Sequence, residues 1–424
     1  MKLAVIGAGS TYTPELVSGL MRERERLDLR ELVLHDIDPR RLEVVGGLAQ
    51  RILERQGYRG ALALTGALDD ALDGASFVLI QLRVGGQAAR LRDETIPAAC
   101  GCVGQETTGA GGLAKAMRTV PVVLETAERA RELAADDAWI IDFTNPVGIV
   151  TRALLDAGHR AIGLCNVAIT FQRNIARHLG VAPEQVLVDQ VGLNHLTWIR
   201  AVYLDGRDVL DEVLDSFGDE LAKEIELPRR LLDELRAIPS YYLRYFYAER
   251  EVVREQQTEP PRAQVVAEIE ERLLELYRDP SLTEKPALLE QRGGAFYSDA
   301  AVALVASLTD DSGDVQIVDV RNDGTLAGLV DDDVVEVPAR IGKGGAAPLP
   351  QGPLAPELLG LVQHVAAYER LAAAAARSGD RNLARLALMT NPLVREPGLA
   401  DSMLEELLAA ETPPPPPARI GAGQ

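Results

Sequence analysis

The sequence predicts an α/β protein in which a doubly wound parallel sheet is followed by a mixed α+β domain. Short β-branched runs alternate with amphipathic stretches over residues 1–165, which is typical of right-handed βαβ units. A glycine-rich turn follows the first of these runs, and longer helical patterns replace the alternation from residue 166 onward. The 424 residues therefore divide into a first domain, 1–165, a second domain, 166–412, and a proline-rich tail, 413–424.

Six strands are predicted in the first domain, each a short apolar run rich in β-branched residues. They are residues 2–6, 31–35, 61–65, 77–82, 139–143 and 161–164. The first helix has a clear start signal, because Thr13 can cap it, Pro14 suits its first position and Glu15 favours the positive end of its dipole. Six strands with helices between them match a doubly wound nucleotide-binding sheet.

The second domain is predicted to combine a few strands with longer helices. A hairpin-like pair of strands and two later strands are expected at residues 186–191, 197–204, 315–320 and 334–337. Apolar residues at helical spacing predict helices over residues 262–278, 357–377 and 381–389. The run of five prolines, 413–417, is expected to end the fold and project into solvent.

Composition and charge exclude several classes of protein. Hydrophobic residues make up 47% and charged residues 25%, as in an ordinary globular chain. With 44 Lys and Arg against 64 Asp and Glu, the net charge of −20 argues against a nucleic-acid partner. No run approaches the roughly 20 apolar residues that span a bilayer, so no membrane association is expected. Three cysteines cannot form a disulfide framework, which favours a reducing, cytoplasmic location.

The glycine-rich turn predicts a phosphate-binding site at the start of the first helix. Gly7, Gly9, Ser10 and Thr11 would let backbone N–H groups approach a pyrophosphate there. Asp36 follows the second strand and could accept a hydrogen bond from a ribose hydroxyl, which favours NAD over NADP. We therefore expect a Rossmann-type, NAD-binding first domain. A merely tight turn, and an ordinary helix cap at the aspartate, are the alternative explanations.

Further polar residues follow the later strands, at the carboxyl edge where open sheets bind ligands. Arg90 lies in a segment rich in glycine and arginine, as an anion site would, and Asn145 follows the fifth strand. Cys165 ends the sixth strand, and with His195 it could hold a divalent transition ion with positions left open for substrate oxygens. A solvated arginine, an Asn-Pro turn and a buried structural cysteine remain the alternatives.

Four of the ten tyrosines lie within residues 238–247. One of their hydroxyls could act as a general base if a nearby cation lowered its pKa from about 10. A packed aromatic cluster is the alternative.

These segments, in this order, resemble family 4 of the glycoside hydrolases, in particular its 6-phospho-β-glucosidase branch. The resemblance covers almost the whole chain apart from the tail. It rests on the blocks at residues 7–16, 84–90, 101–109, 143–146, 165–166, 192–195, 238–247, 261–263 and 292–295. Phe246 stands where the family commonly has tyrosine, and Ala168 where proline is usual.

The resemblance implies glycoside hydrolysis by redox chemistry. NAD⁺ would take a hydride from carbon 3 of the sugar, a side-chain base would remove the proton on carbon 2, and elimination would expel the aglycone from carbon 1. Mn²⁺, or another divalent transition ion, held by Cys165 and His195 would stabilise the enediolate. Water would then add and the hydride would return. The implied substrates are β-glucosides and disaccharides phosphorylated at carbon 6, which give glucose 6-phosphate and an aglycone.

The resemblance also assigns roles to the catalytic residues. Tyr242 is the implied base, with Tyr241 as its nearest rival, and Glu106 is an acidic group that tunes it. Asn166 stands where the α-glucosidase branch has an aspartate that protonates the leaving group. Since an amide cannot donate a proton in that way, asparagine favours β-linked substrates.

The remaining implied roles concern substrate and assembly. Arg90 and Arg262 align with residues that bind the 6-phosphate and the sugar, and Asn145 aligns with a substrate contact. Enzymes of this family assemble as homodimers or homotetramers, and we expect the same of this chain.

Three other functions are weighed against this one. The first is another specificity in the same family, for unphosphorylated or α-linked glycosides. The second is an NAD-dependent 2-hydroxy-acid dehydrogenase, which would need a His–Asp proton relay and no metal. The third is a sensor of NAD and sugar phosphates that has lost its activity. The combination of Cys165, His195 and Tyr242 argues against the last two.

Overall fold

The structure, a computed structural model, describes residues 1–293 and 296–409. Six parallel strands lie in the first half of the chain: β1 (Lys2–Ile6), β2 (Glu31–His35), β3 (Ala61–Thr65), β4 (Phe77–Ile80), β5 (Trp139–Asp142) and β6 (Ala161–Gly163). Their order across the sheet is β6-β5-β4-β1-β2-β3. Strands β2 and β3 are therefore added on one side of β1, and β4, β5 and β6 on the other. This is the doubly wound order of a dinucleotide-binding domain, and it confirms the predicted fold class.

The second half of the chain adds antiparallel strands to the same sheet. They are β7 (Val186–Leu193), β8 (Leu196–Leu204), β9 (Arg207–Asp208), β10 (Ile238–Pro239), β11 (Val315–Arg321), β12 (Val334–Gly342) and β13 (Gly345–Pro348). Strand β11 pairs with β6, with Asp319 opposite Gly163, and β12 pairs with both β11 and β7. The domain boundary predicted at residue 165 therefore falls in a turn directly after β6, within a sheet that contains strands from both halves of the chain.

Helices cover the faces and ends of this sheet. Those of the first half are α1 (Thr13–Arg22), α2 (Pro39–Arg55), α3 (Leu68–Leu72), α4 (Gly86–Ala99), α5 (Gly109–Leu133), α6 (Val147–Asp156) and α7 (Val167–Leu179). Those of the second half are α8 (Leu210–Glu224), α9 (Arg229–Leu235), α10 (Arg244–Tyr247), α11 (Glu249–Gln256), α12 (Arg262–Tyr277), α13 (Tyr297–Asp310), α14 (Pro356–Ser378), α15 (Arg381–Thr390) and α16 (Pro397–Ala409). The predicted tail lies outside the described residues.

The core follows from the parallel strands. Leu3, Ala4 and Val5 on β1 are fully buried, because helices cover both faces of the sheet and every residue of the strand meets apolar neighbours. Among the described helices, none is long and apolar enough to cross a bilayer.

The predicted start of the first helix is wrong by one residue. Tyr12 occupies the capping position with a helical backbone, and Thr13 is the first residue of α1. The hydroxyl of Thr13 instead donates a hydrogen bond to the carbonyl of Ala8 at 2.8 Å, which closes the preceding turn. The threonine therefore stabilises the glycine-rich turn rather than the end of the helix.

Candidate active site

The turn between β1 and α1 needs its two glycines for different reasons. Gly7 has φ +89°, and a Cβ there would lie 2.8 Å from the carbonyl oxygen of Gln81. A Cβ on Gly9 would lie 2.7 Å from Asp36 Oδ2, which accepts a hydrogen bond from the Gly9 N–H at that distance. The turn thus brings the start of α1 against the carboxyl ends of β1 and β2.

Asp36 holds this turn in place. One of its carboxylate oxygens accepts from Gly9 and the other from the N–H of Asp38, at 2.9 Å. The helix cap weighed for this position is Asp38 instead, whose side chain accepts from the N–H groups of Arg40 and Arg41. The ribose contact of Asp36 stays a prediction.

The same turn carries unused polar groups that fit a dinucleotide. Thr11 is buried, and its Oγ1 has no hydrogen-bond partner among the described residues. Ser10 lies beside it and accepts a hydrogen bond from the N–H of Tyr12 at 3.3 Å. A buried hydroxyl without a partner next to the start of a helix suits a phosphate oxygen, so the turn fits NAD by its own geometry.

Glu106 is the centre of a buried cluster of cations. It forms ion pairs with Arg83, with Lys115 at 2.6 Å and with Arg90 at 3.3 Å. Burial opposes ionisation of this carboxyl, but the three cations hold its pKa well below the usual range. Burial also lowers the pKa of Lys115 to about 8. Glu106 therefore contacts cations directly. The sequence predicted an influence of Glu106 on the tyrosine, but it did not predict these ion pairs.

Arg90 and Arg262 come together from α4 and from the start of α12. Glu94 links the two segments, because it pairs with Arg90 at 2.6 Å and accepts a hydrogen bond from the N–H of Ala263 at 2.8 Å. Arg262 is exposed and donates to the carbonyl of Arg292 at 3.0 Å. Burial and the nearby charge of Arg90 lower its pKa. Two arginines at one point, one of which hydrogen-bonds to backbone oxygens among the described residues, suit the binding of an anion.

The two proposed metal ligands come from separate turns of the shared sheet. Cys165 follows β6, and His195 lies in the turn between β7 and β8 with φ 62°. Both are buried, at 7% and 5% exposure. Asn194 lies next to both, since its side-chain amide is close enough to the Cys165 thiol to influence its pKa and it directly precedes the histidine.

These residues fit a catalytic metal ion. Burial lowers the pKa of His195 to about 3, so its imidazole is neutral, and its buried Nδ1 has no partner among the described residues. Within residues 1–293 and 296–409, no three His, Cys, Asp or Glu side chains are grouped to hold an ion. A thiol and a neutral imidazole provide two protein ligands, which leaves the other positions to substrate and water, as catalytic sites require.

Tyr242 packs directly on this pair. Its ring is stacked on His195, with centroids 3.7 Å apart and planes 11° from parallel, and Tyr241 lies 4.6 Å away. Burial, followed by the neighbouring Tyr241 and Cys165, raises the pKa of Tyr242 well above 10. The protein's own side chains therefore do not give Tyr242 the lowered pKa that is expected of a general base.

The two asparagines lie at the carboxyl ends of β5 and β6. Asn145 precedes a cis peptide bond to Pro146, and its buried Oδ1 has no partner among the described residues. Asn166 occupies the capping position of α7 without capping it through its side chain. Both positions agree with the predicted carboxyl edge, and a free acceptor at Asn145 suits a sugar hydroxyl.

Arg83, Lys115 and Asn194 are the parts of the site that sequence reasoning missed. Arg83 was visible as the charge that ends an apolar strand, and Lys115 as a single lysine among small residues at the start of α5. Asn194 carried no signal of its own, because its role depends on a contact between distant strands.

The family models and relatives agree along the chain. A model described as family 4 glycosyl hydrolase matches residues 2–181, and one for the C-terminal domain of that family matches residues 190–394. A probable 6-phospho-β-glucosidase of Bacillus subtilis is 42% identical, over 97% of this chain and 96% of its own. A 6-phospho-β-glucosidase of Thermotoga maritima is 36% identical, over 97% and 98%.

Solved structures give the same result. A structure of the Thermotoga maritima 6-phospho-β-glucosidase with manganese, NAD⁺ and glucose 6-phosphate superposes with a TM-score of 0.90, at 36% identity over 97% of this chain and 98% of that one. A lactate dehydrogenase reaches 0.58 at 15% identity, over 88% and 98%, which shows a shared fold alone. The resemblance drawn from the sequence is confirmed, and the chain belongs to family 4 of the glycosyl hydrolases.

Proposed function

We propose that this protein is a 6-phospho-β-glucosidase that uses NAD⁺ and Mn²⁺ to release glucose 6-phosphate and an aglycone. The observation that carries the proposal is a row of side chains between two candidate sites. Arg90, beside Arg262, pairs with Glu106, which pairs with Lys115. Burial is the main cause of the lowered pKa of His195, and the charges of Lys115 and Glu106 lie close enough to affect it as well. An anion site at one end and a two-ligand metal site at the other match a phosphorylated sugar held across them. The names and ligands of the relatives agree with this reading.

The protein's own groups would divide the work along that line. Arg90 and Arg262 would hold the 6-phosphate, and the free Oδ1 of Asn145 would accept a sugar hydroxyl. Glu106 would keep the neighbouring cations in place and influence Tyr242 through them. These contacts would fix the sugar ring relative to the reacting groups, which is where much of the rate acceleration of an enzyme originates.

Two groups that the chain binds would supply chemistry that side chains lack. NAD⁺ supplies a hydride acceptor for carbon 3 of the sugar, and Mn²⁺ supplies a Lewis acid for its oxygens. Gly7, Gly9, Ser10, Thr11 and Asp36 would hold the dinucleotide. The thiol of Cys165 and the imidazole of His195 would hold the ion.

Tyr242 is the proposed base for the proton on carbon 2. Its ring is stacked on the imidazole of His195, one of the two groups that would hold the ion, and its hydroxyl is the group that would take the proton. Asn166 follows the metal ligand Cys165 and cannot act as an acid, which favours a β-linked leaving group. The α-glucosidases among the relatives, such as one of Clostridium acetobutylicum at 28% identity, are more distant than the β-glucosidases.

The proposal is tested by release of p-nitrophenol from p-nitrophenyl β-glucoside 6-phosphate. Activity should require NAD⁺, Mn²⁺ and a thiol reductant, each omitted in turn. p-Nitrophenyl β-glucoside, which lacks the phosphate, and p-nitrophenyl α-glucoside 6-phosphate serve as matched substrates. Both should react far more slowly. Activity without NAD⁺ or Mn²⁺ would contradict the mechanism, and equal activity on the unphosphorylated substrate would contradict the proposed specificity. Accumulation of NADH with lactate or malate would favour the dehydrogenase.

We also infer a cytoplasmic homodimer or homotetramer whose NAD-binding and metal-binding domains meet at residues 165–166. The requirement for a reduced Cys165 supports a reducing compartment, since oxidation would remove the thiol ligand. Light scattering of the purified protein measures the assembly directly, and a mass of 45.7 kDa would identify a monomer and contradict the inference.

A further inference from the structure

Glu336 on β12 has a buried carboxyl group that binds Gln190 on β7 and Asn194 in the turn directly after β7. It is 1% exposed. Its Oε1 accepts a hydrogen bond from Gln190 Nε2 at 2.6 Å, and its Oε2 accepts from Asn194 Nδ2 at 2.9 Å. The strand register explains this geometry, because Glu336 lies opposite Gly192, midway between the two donors.

Asn194 transmits this grip to both proposed metal ligands. Its side-chain amide also lies beside the thiol of Cys165, so this one amide is near both the carboxyl group and the sulfur. It is bonded covalently to His195, which adopts the left-handed conformation with φ 62°. Residues other than glycine rarely adopt this backbone conformation, and it persists only where surrounding contacts impose it.

The turn around the histidine is shaped by a tight backbone closure as well as by Asn194. Gly192 has φ +148°, and a Cβ there would lie 2.1 Å from the carbonyl oxygen of Leu196, so the hairpin closes tightly just before the turn. His195 Nδ1 has no hydrogen-bond partner among the described residues. The orientation of the imidazole therefore depends on the stacked ring of Tyr242 and on the backbone of its own turn, which Glu336 holds through Asn194.

We propose that Glu336 is a positioning residue for the metal site: through Asn194 it sets the Cys165 thiol and the His195 imidazole in place before the ion binds. The proposal rests on the proposed function, because it assumes the ion. A site with only two protein ligands gains most from such support, since few bonds to the ion itself orient the ligands. Partners of this kind typically change metal affinity by about 10–100-fold when they are removed.

The test compares three variants with the unmodified chain. Glu336→Leu keeps the size of the side chain and removes both acceptors. Gln190→Leu removes the other donor to the same carboxylate and leaves Asn194 bound, so it is the matched control for a general loss of packing. Glu336→Gln keeps both hydrogen bonds and removes the charge: its amide oxygen accepts from Asn194, and its amide nitrogen can donate to Gln190 Oε1, which has no partner among the described residues.

The readout is the dissociation constant of Mn²⁺, measured from the electron paramagnetic resonance signal of the free ion with saturating NAD⁺ and glucose 6-phosphate. Glu336→Leu should weaken Mn²⁺ binding by about 10–100-fold. Gln190→Leu and Glu336→Gln should bind Mn²⁺ much as the unmodified chain does. The affinity for NAD⁺ alone should be the same in all four proteins, because the turn that contains Gly7 and Gly9 lies on other strands.

Each other outcome counts against the proposal. Normal Mn²⁺ binding by Glu336→Leu, or an equal loss in Gln190→Leu, would show that Glu336 does not position the ligands. A loss in Glu336→Gln as large as in Glu336→Leu would assign the effect to charge and overturn the hydrogen-bonded account. Absence of Mn²⁺ binding by the unmodified chain would overturn the proposed metal site together with this inference.

Discussion

Tyr242 lies against the imidazole of His195, so its contribution can be separated into a ring and a hydroxyl. The stacked ring orders the site, whereas the hydroxyl is the group that can exchange a proton with the sugar. Phenylalanine keeps the first and removes the second. Tyr241, 4.6 Å from Tyr242, offers the same substitution on a neighbouring ring.

We expect Tyr242→Phe to slow exchange of the carbon 2 proton by about 10²–10⁴-fold, which is the usual contribution of a general base. The measurement is deuterium incorporation into glucose 6-phosphate in D₂O with NAD⁺ and Mn²⁺, followed by NMR. Tyr241→Phe is the control and should exchange at the normal rate. Full exchange by Tyr242→Phe together with slow exchange by Tyr241→Phe would transfer the role to Tyr241.

Arg262 is the more informative of the two arginines that are proposed to bind the anion. Arg90 also pairs with Glu94 and Glu106, so its removal would disturb buried charges, whereas Arg262 hydrogen-bonds to backbone carbonyls. We expect Arg262→Met to lower kcat/KM for the phosphorylated substrate by roughly 10–100-fold, the value of a hydrogen bond to a charged group. Arg278→Met, at the other end of the same helix, should leave kcat/KM unchanged. An equal kcat/KM in the two variants would remove Arg262 from the anion site.

The reach of sequence reasoning at this scale is set by distance along the chain. Arg90, Cys165 and Asn145 each follow a strand, so local pattern places them at the carboxyl edge of the sheet. Lys115 and Glu106 are nine residues apart, and neither strand periodicity nor turn chemistry predicts that they pair at 2.6 Å. The loop that contains Glu106 packs against α5 and so brings the two side chains together. No local sequence pattern predicts that packing.

At the scale of elements, the turn between β1 and α1 is sensitive to substitution because its glycines have no room for a side chain. A Cβ at Gly9 would meet the carboxylate of Asp36, so we expect Gly9→Ala to displace that side chain and abolish NAD⁺ binding, measured by calorimetry. Gly47→Ala on α2 is the control. The nearest atom to its added Cβ would be Arg51 Nη1 at 3.5 Å, so it should bind NAD⁺ normally and gain up to about 1 kcal/mol in stability. Normal binding by Gly9→Ala would mean that the turn can move.

Strands were predicted well because their apolar runs are local, whereas their ends were not. Residues 81–82 were expected to continue β4, but Gln81 turns its amide towards the carbonyl of Gly7, and the N–H of Leu82 donates to Thr144 Oγ1. Both contacts are made by loops from other parts of the chain. The start of α1 was also misplaced, because the hydroxyl of Thr13, the first residue of the helix, donates to the carbonyl of Ala8 in the preceding turn instead of capping the helix.

At the scale of the whole molecule, the shared sheet buries carboxyl groups where the two halves meet. Asp142 at the end of β5 is fully buried, and this raises its pKa to about 8, although the N–H of Thr144 and the hydroxyl of Thr151 donate to it. The protonated form is therefore favoured in the folded protein. Its contribution to stability is complete below the unfolded pKa near 4 and is lost as the pH rises towards about 8.

We expect Asp142→Asn, which mimics the protonated acid, to remove this dependence. The free energy of unfolding of the unmodified chain should fall relative to the variant by at most about 1.4 kcal/mol per pH unit between roughly pH 4 and 8. Urea titrations at several pH values measure the difference. Asp70→Asn, at an exposed carboxyl, should track the unmodified chain. A constant difference across this range would mean that Asp142 is ionised in the fold.

Sequence pattern predicted the doubly wound half of the molecule but not the way in which the second half joins it. The pairing of β11 with β6 connects segments more than 150 residues apart. The periodicity of a sequence predicts a strand but not which distant strand it pairs with. A chain cut at residue 165 would leave β6 as an open edge, with backbone groups that other molecules could pair with. An isolated cofactor domain ending there would be prone to aggregation, and a soluble version would need β11 and β12 grafted onto it.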